Sequence, residues 1–418
     1  MGFHRTELDN GITVVTEGFE GVRSIALGIW FNVGSRDEAA ADAGMSHFME
    51  HMMFKGTPTY SARELSEAFD RLGARQNAFT SKEVTCYYAD FIDESLEGVF
   101  ALLADMVTNA SLEQEACELE REVIIEEIAR AEDDPENVAH ELFSSLAWPD
   151  STLGLPIAGT KETVAGFDRE RSLAFRKKHY YSDNCVVATA GNVEHAKIVA
   201  LAQRFLDDLP IRGKQARRKA PGANSEVIKF KFKETEQTHL FTGQFTISAR
   251  SDDRFALLLA NNILGGSMSS RLFQEVREKQ GLVYSIYSYP QLLSDGGLFA
   301  VYAGTRPENA QVVFEKIERE RMRVGASDIT ADELERAKAS VKGALALSLE
   351  STSRRMIRIA EATINEIEVL TFDEQLALYE RTTLDDVHAV AQAATSAPQT
   401  TAIVGPYRGQ GFDQFDEE

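Results

Sequence analysis

The pentapeptide His47-Phe48-Met49-Glu50-His51 lies inside a helical run expected over residues 41–54, closed by Gly56. On a helix, His47 and His51 are one turn apart and project from the same face. Two imidazoles at that spacing can share one zinc ion and leave Glu50 beside it. The order is the reverse of the commoner His-Glu-x-x-His arrangement and is known from zinc peptidases. The alternative is a pair of satisfied structural histidines.

A catalytic zinc needs a third protein ligand and an open position. A helix expected over 113–133, opened by Ser111 and Gln114 as a capping box, offers one. At about 100° per residue, Ala116, Glu120, Val123, Ile124, Glu127 and Ala131 fall on one stripe, and Glu122 and Glu126 lie off it. Two carboxylates on a stripe that faces the core are costly unless paired or metal-bound. A partly exposed stripe with solvated glutamates is the alternative.

Strands are expected at 24–33, 84–91 and 185–191, with a helix at 96–107. Periodicity then fails between Ile211 and Ser225, where Arg, Lys, Gly and Pro cluster, and a solvated linker is the reading. Beyond it the same grammar restarts: a strand at 239–247, a helix at 255–264, a strand at 297–303, and helices at 308–324 and 331–349. This repetition implies an α+β chain of two structurally homologous domains, each a mixed or antiparallel sheet layered with helices. The expected division is 1–212, a linker at 213–225, and 226–418.

The chain has 418 residues, enough for two such cores. With 44 Lys and Arg against 66 Asp and Glu, its net charge of −22 argues against nucleic acid and anionic membranes and favours basic partners. No apolar run is long enough to span a bilayer, so no membrane insertion is expected, and the absence of a signal-peptide core implies a cytoplasmic protein. Cys86, Cys117 and Cys185 are too few and too widely spaced for a disulfide framework or a cysteine zinc site.

The stretch from His47 to Thr57 resembles the active-site helix of the pitrilysin (insulinase) metallopeptidases, nearest to the mitochondrial processing peptidase β subunit and its bacterial single-chain relatives. Asn77-Ala78-Phe79-Thr80, Gly191-Asn192-Val193 and the segment from Gly265 to Tyr284 extend the resemblance along the chain. It implies a zinc-dependent endopeptidase with one zinc ion per chain, held by His47, His51 and Glu127, with Glu120 orienting a ligand histidine and Glu50 as general base. It also implies that Arg277 and Tyr284 orient the substrate backbone and stabilise the oxyanion. Residue by residue, Arg277 reads as the end of a helix capped by Gly281, and Tyr284 as the start of a strand.

Further roles follow from the resemblance alone. A peptide adds as a strand along Asn77, Ala78, Phe79 and Thr80, and Phe48 and Phe79 are candidates for an apolar specificity pocket, with plain core packing as the alternative for both. Glu141 is the second of two acids that read an arginine near the cut, but Asn137 stands where the first would be. The second half lacks His-x-x-Glu-His, so it supports rather than catalyses. Two domains make a half-shell, and a homodimeric chamber admitting unfolded basic peptides would bring Arg277 and Tyr284 to the partner's zinc domain in trans. The other readings are a non-catalytic core-type assembly subunit, or an active chain that needs an inactive sister.

Overall fold

The computed structural model describes residues 2–213, 216–217, 219–222, 226–326 and 328–407. The linker positions 214, 215, 218 and 223–225 lie outside these residues. In chain order the first elements are β1 (Gly2–Glu7), β2 (Thr13–Gly18), β3 (Ser24–Phe31), α1 (Met45–Met52), α2 (Ala62–Arg71), β4 (Arg75–Thr80), β5 (Thr85–Ile92), α3 (Leu96–Asn109) and α4 (Gln114–Asp133). There follow α5 (Pro135–Ala147), α6 (Lys161–Val164), α7 (Arg169–His179), β6 (Cys185–Gly191), α8 (His195–Phe205), β7 (Val227–Phe232), β8 (Thr238–Thr246) and α9 (Arg254–Leu264). A π-helical turn (Phe273–Glu278) leads to β9 (Val283–Leu292), β10 (Gly297–Thr305), α10 (Ala310–Gly325), α11 (Ala331–Ser348), α12 (Thr352–Ile364), α13 (Phe372–Arg381), α14 (Leu384–Ser396) and β11 (Gln399–Gly405).

Two mixed sheets form, in the orders β1-β2-β6-β3-β5-β4 and β7-β11-β8-β10-β9. Without β1, the two orders correspond strand for strand. The parallel pair in each occupies the same place, β2 with β6 and β7 with β11. The shared topology is the duplication that the repeated grammar implies. β4 and β9 are equivalent edge strands.

Each sheet anchors one compact unit. The first unit comprises 1–129, 155–218 and 347–369, and the second 130–154, 219–346 and 370–418. The units are thus discontinuous in sequence, unlike the contiguous division expected at 213–225. A sheet has two faces to cover, and in each unit the second face is covered by a helix from the other half of the chain. In the first unit α12 lays Met356, Ile359 and Ala360 against Ala26, Trp30, Cys86 and Val186. In the second, α5 lays Val138, Ala139 and Phe143 against Phe241, Leu298, Tyr302 and Ala402. Burial of a side chain such as Met356 is worth roughly 1.5–3 kcal/mol, so these contacts decide where the helices go.

Arg217, inside the expected linker, is anchored in the first unit, donating to both carboxylate oxygens of Asp37 at 2.8 Å and to the Glu83 carbonyl at 2.7 Å. The three cysteines are buried and free. No described helix is long and apolar enough to cross a membrane.

Candidate metal centre

The site belongs to the first unit and starts from α1. This helix is shorter than the run expected from sequence. Residues 40–42 form a separate 3₁₀ turn, and the chain bends at Gly44, whose φ of 97° and backbone neighbour Ala158 leave no room for a side chain. Met45, Phe48, Met49 and Met52 are buried in the core. That packing turns His47, Glu50 and His51 together towards α4 and β4.

Buried Glu38 fixes the start of α1. Its carboxylate accepts the backbone N–H groups of Gly44 at 2.8 Å and Ser46 at 2.6 Å, satisfying donors that the helix leaves open. Burial pushes its pKa up to about 7 against those hydrogen bonds.

Glu127 Oε2 lies 3.7 Å from His51 Nε2 and 3.9 Å from His47 Nε2. Ligand atoms of His47, His51 and Glu127 all lie within 4.8 Å of one another. Donors bound to one tetrahedral zinc at about 2.1 Å sit about 3.4 Å apart, so the trio needs only a small contraction to fit. Burial, and next the neighbouring His51, bring the His47 pKa down to about 4, which keeps its ring neutral and able to ligate. His51 Nδ1 is 3.0 Å from Glu120 Oε2, and Lys55 pairs with the other oxygen of that carboxylate. The contact assigns the proton to Nδ1 and leaves the Nε2 lone pair facing Glu127, as metal-bound imidazoles require. The residues present fit zinc.

Helix α4 differs from expectation in its rotation. It packs through Cys117, Glu120, Ile124 and Ile128. Val123 is 44% exposed and the Glu127 side chain 47% exposed, so the core-facing stripe centres on Glu120 and Ile124, with Glu127 on its flank. The capping box at Ser111 does not form, because the Gln114 amide donates to Glu118 and accepts from the Arg169 N–H.

Glu50 is half-buried and accepts a 2.6 Å hydrogen bond from Thr80 Oγ1. Burial raises its pKa, and the Thr80 bond works the other way. Thr80 ends the edge strand β4, whose outer side has no strand partner among the described residues. Asn77 is exposed, and Ala78 and Phe79 are half-buried, with Phe79 edge-on to Trp30 at 5.3 Å. Phe48, in contrast, is fully buried against Phe167 at 5.4 Å and offers a ligand no surface, so it is core rather than pocket.

The remaining expected residues belong to the second unit. Gly281, with φ of 62°, ends the turn carrying Arg277 and donates to its carbonyl at 2.9 Å. The Arg277 guanidinium lies 4.8 Å from the Phe273 ring and 5.6 Å from the Tyr284 ring, and Tyr284 is 79% exposed at the start of edge strand β9. On α5, Asn137 donates to Glu141 at 3.1 Å. Sequence reasoning missed three residues. Lys55 has a faint signal, four residues after His51, but Glu38 and the hydroxyl role of Thr80 have none.

Residues 13–161 match the family described as Insulinase (Peptidase family M16), and residues 166–341 match the one described as Peptidase M16 inactive domain. This chain belongs to peptidase family M16. A Streptomyces coelicolor protein named an uncharacterized zinc protease is 39% identical over 97% of this M16 chain and 90% of its own. A Bacillus subtilis protein, the uncharacterized zinc protease YmxG, is 38% identical over 96% and 98%. Among solved structures, a peptidase M16 inactive domain from Pseudomonas fluorescens superposes with a TM-score of 0.92 at 20% identity, covering 98% of this chain and all of that one. A protease from Helicobacter pylori gives 0.90 at 23%, covering 97% and 99%. These two likenesses speak for the fold. The Insulinase match holds His47, His51, Glu120 and Glu127, whereas the other holds Arg277 and Tyr284 and, among its described residues, no metal-ligand cluster.

Proposed function

We propose that this M16 chain is a zinc-dependent endopeptidase that cuts unfolded peptides. The observation that carries the reading is the convergence of His47, His51 and Glu127 beside a carboxylate, Glu50, that Thr80 holds by a hydrogen bond. Zinc bound there would supply a Lewis acid and bring a water within reach of ionisation near neutral pH. Glu50 takes the proton from the attacking water and passes it to the leaving amine, a role suited by its raised pKa. Thr80 aims that carboxylate, and Glu120 with Lys55 fixes the His51 ring.

The substrate joins β4 as an added strand along Asn77–Thr80, where main-chain hydrogen bonds hold any extended sequence. Extended binding selects unfolded chains, and the charge of −22 favours basic ones. Arg277 and Tyr284 orient the peptide and stabilise the oxyanion. They act in trans within a homodimer that closes a chamber, one zinc ion in each chain. The complete ligand set with Glu50 favours this reading over a non-catalytic assembly subunit.

The test is cleavage of an unfolded basic peptide by the purified chain alone. Activity that a chelator removes and zinc restores is the expected result. No cleavage by the zinc-loaded chain would overturn the reading.

A further inference from the structure

The exchanged helix α12 brings a carboxylate to the face of the first sheet opposite α1. Ser353 Oγ donates to Asp90 of β5 at 2.5 Å, which sets the register of the helix on the sheet. Glu361 lies two turns further on the same side, about 12 Å along the helix at roughly 1.5 Å per residue. From Asp90 to Cys86 the strand travels about 14 Å at roughly 3.4 Å per residue. Glu361 therefore stands level with Cys86, and its charge is felt there. Ile357 and Ile364, on its own stripe, pack into the cluster that contains Cys86 and Trp30.

Cys86 pairs with Phe79, and Tyr88 with Asn77, across β5 and β4. Phe79, Tyr88 and Trp30 thus form an apolar shelf between Glu361 and the open edge of β4. Successive side chains of a strand alternate between faces. In a peptide added to β4, one set of side chains points to α1 and the other passes over this shelf towards Glu361. The residue keeps solvent access, yet partial burial of the carboxylate raises its pKa. An apolar shelf ending in such a carboxylate suits a long side chain with an apolar stem and a cationic tip.

We propose that Glu361 is the anionic end of a subsite that takes an arginine or lysine side chain of the bound peptide, on the sheet face opposite the metal helix. This rests on the endopeptidase reading and on strand addition at β4. It gives the preference for basic peptides a specific residue.

The test compares fluorescent peptides that differ only in carrying arginine, its neutral analogue citrulline or glutamate, placed at successive positions. Binding is read by anisotropy on Glu50→Gln protein, with turnover of the same peptides by the unaltered chain read separately. At one position the arginine peptide should bind about tenfold more tightly, as expected for a charge-assisted contact. Adding Glu361→Gln should bring that ratio near one, and Glu361→Lys should favour a glutamate at that position. An arginine preference unchanged in both variants, or no preference at any position, overturns the proposal. Failure of the peptidase reading shows differently, as absence of turnover by the chain with Glu50 intact.

Discussion

Glu120 divides its carboxylate between two partners: one oxygen lies 3.0 Å from Nδ1 of His51, and the other pairs with Lys55. Both contacts are made by a buried group, so the His51 ring is held before any metal arrives. Glu120→Ala should weaken zinc binding about 10–100-fold, as loss of such outer partners does, whereas Glu120→Gln keeps an acceptor and should lose less. Competition against a chelator of known affinity checks this.

Thr80 and Glu50 form a second such pair. Thr80→Val removes the hydrogen bond that opposes the burial-driven rise in the Glu50 pKa. The base must be ionised to act, so activity falls as pH drops through its pKa. Without the bond that fall should move to higher pH, and kcat/KM at neutral pH should drop roughly tenfold. Thr80→Ser should restore the profile, and zinc content should not change.

Glu38 links stability to pH. Its pKa is about 7 in the folded chain against 4.5 for the ordinary carboxyl, so between those values the folded state holds a proton that the unfolded state has lost. Its contribution to stability is therefore full below about pH 4.5 and declines as pH rises through 7. Relative to Glu38→Gln, the natural chain should lose about 3 kcal/mol between pH 5 and pH 8. Urea unfolding of both proteins at the two pH values measures the difference.

The exchange of α5 and α12 predicts how fragments behave. A chain of residues 2–218 lacks α12 and leaves Ala26, Trp30 and Val186 uncovered. It should aggregate or bind hydrophobic dyes, and a peptide spanning 347–369 should reduce dye binding. Met356→Ala in the full chain should cost about 2–5 kcal/mol.

The proposed trans arrangement has its own signature. Glu50→Gln and Tyr284→Phe chains should each be inactive or nearly so. Mixed and allowed to exchange subunits, they should regain activity, because one of the two sites in a mixed dimer then carries neither change. A mixture that stays inactive although exchange is demonstrated would speak for Tyr284 acting within its own chain.

What the sequence made legible was local. His47 and His51 share a helix, and their spacing alone puts them on one face. The strand Cys185–Gly191 was readable because its residues are apolar and β-branched and its ends carry turn signals. The rotation of α4 was not, because Glu127 and Val123 are placed by how Cys117, Ile124 and Ile128 pack, which periodicity locates only to within a residue or so. Thr80 reaches Glu50 through the β4–β5 register, and Glu38 reaches Gly44 through a bend of the chain. Neither contact leaves a pattern along the sequence. The discontinuity of the units was hidden for a related reason: α5 and α12 are ordinary helices, and only the shape of each sheet says which face they cover.

Zinc content and peptide cleavage, measured together on the natural chain and on Glu50→Gln, test the central claim most directly. The account predicts one zinc ion per chain in both proteins, cleavage by the first and none by the second. Cleavage by Glu50→Gln at the natural rate, or cleavage by a chain freed of zinc, would contradict it.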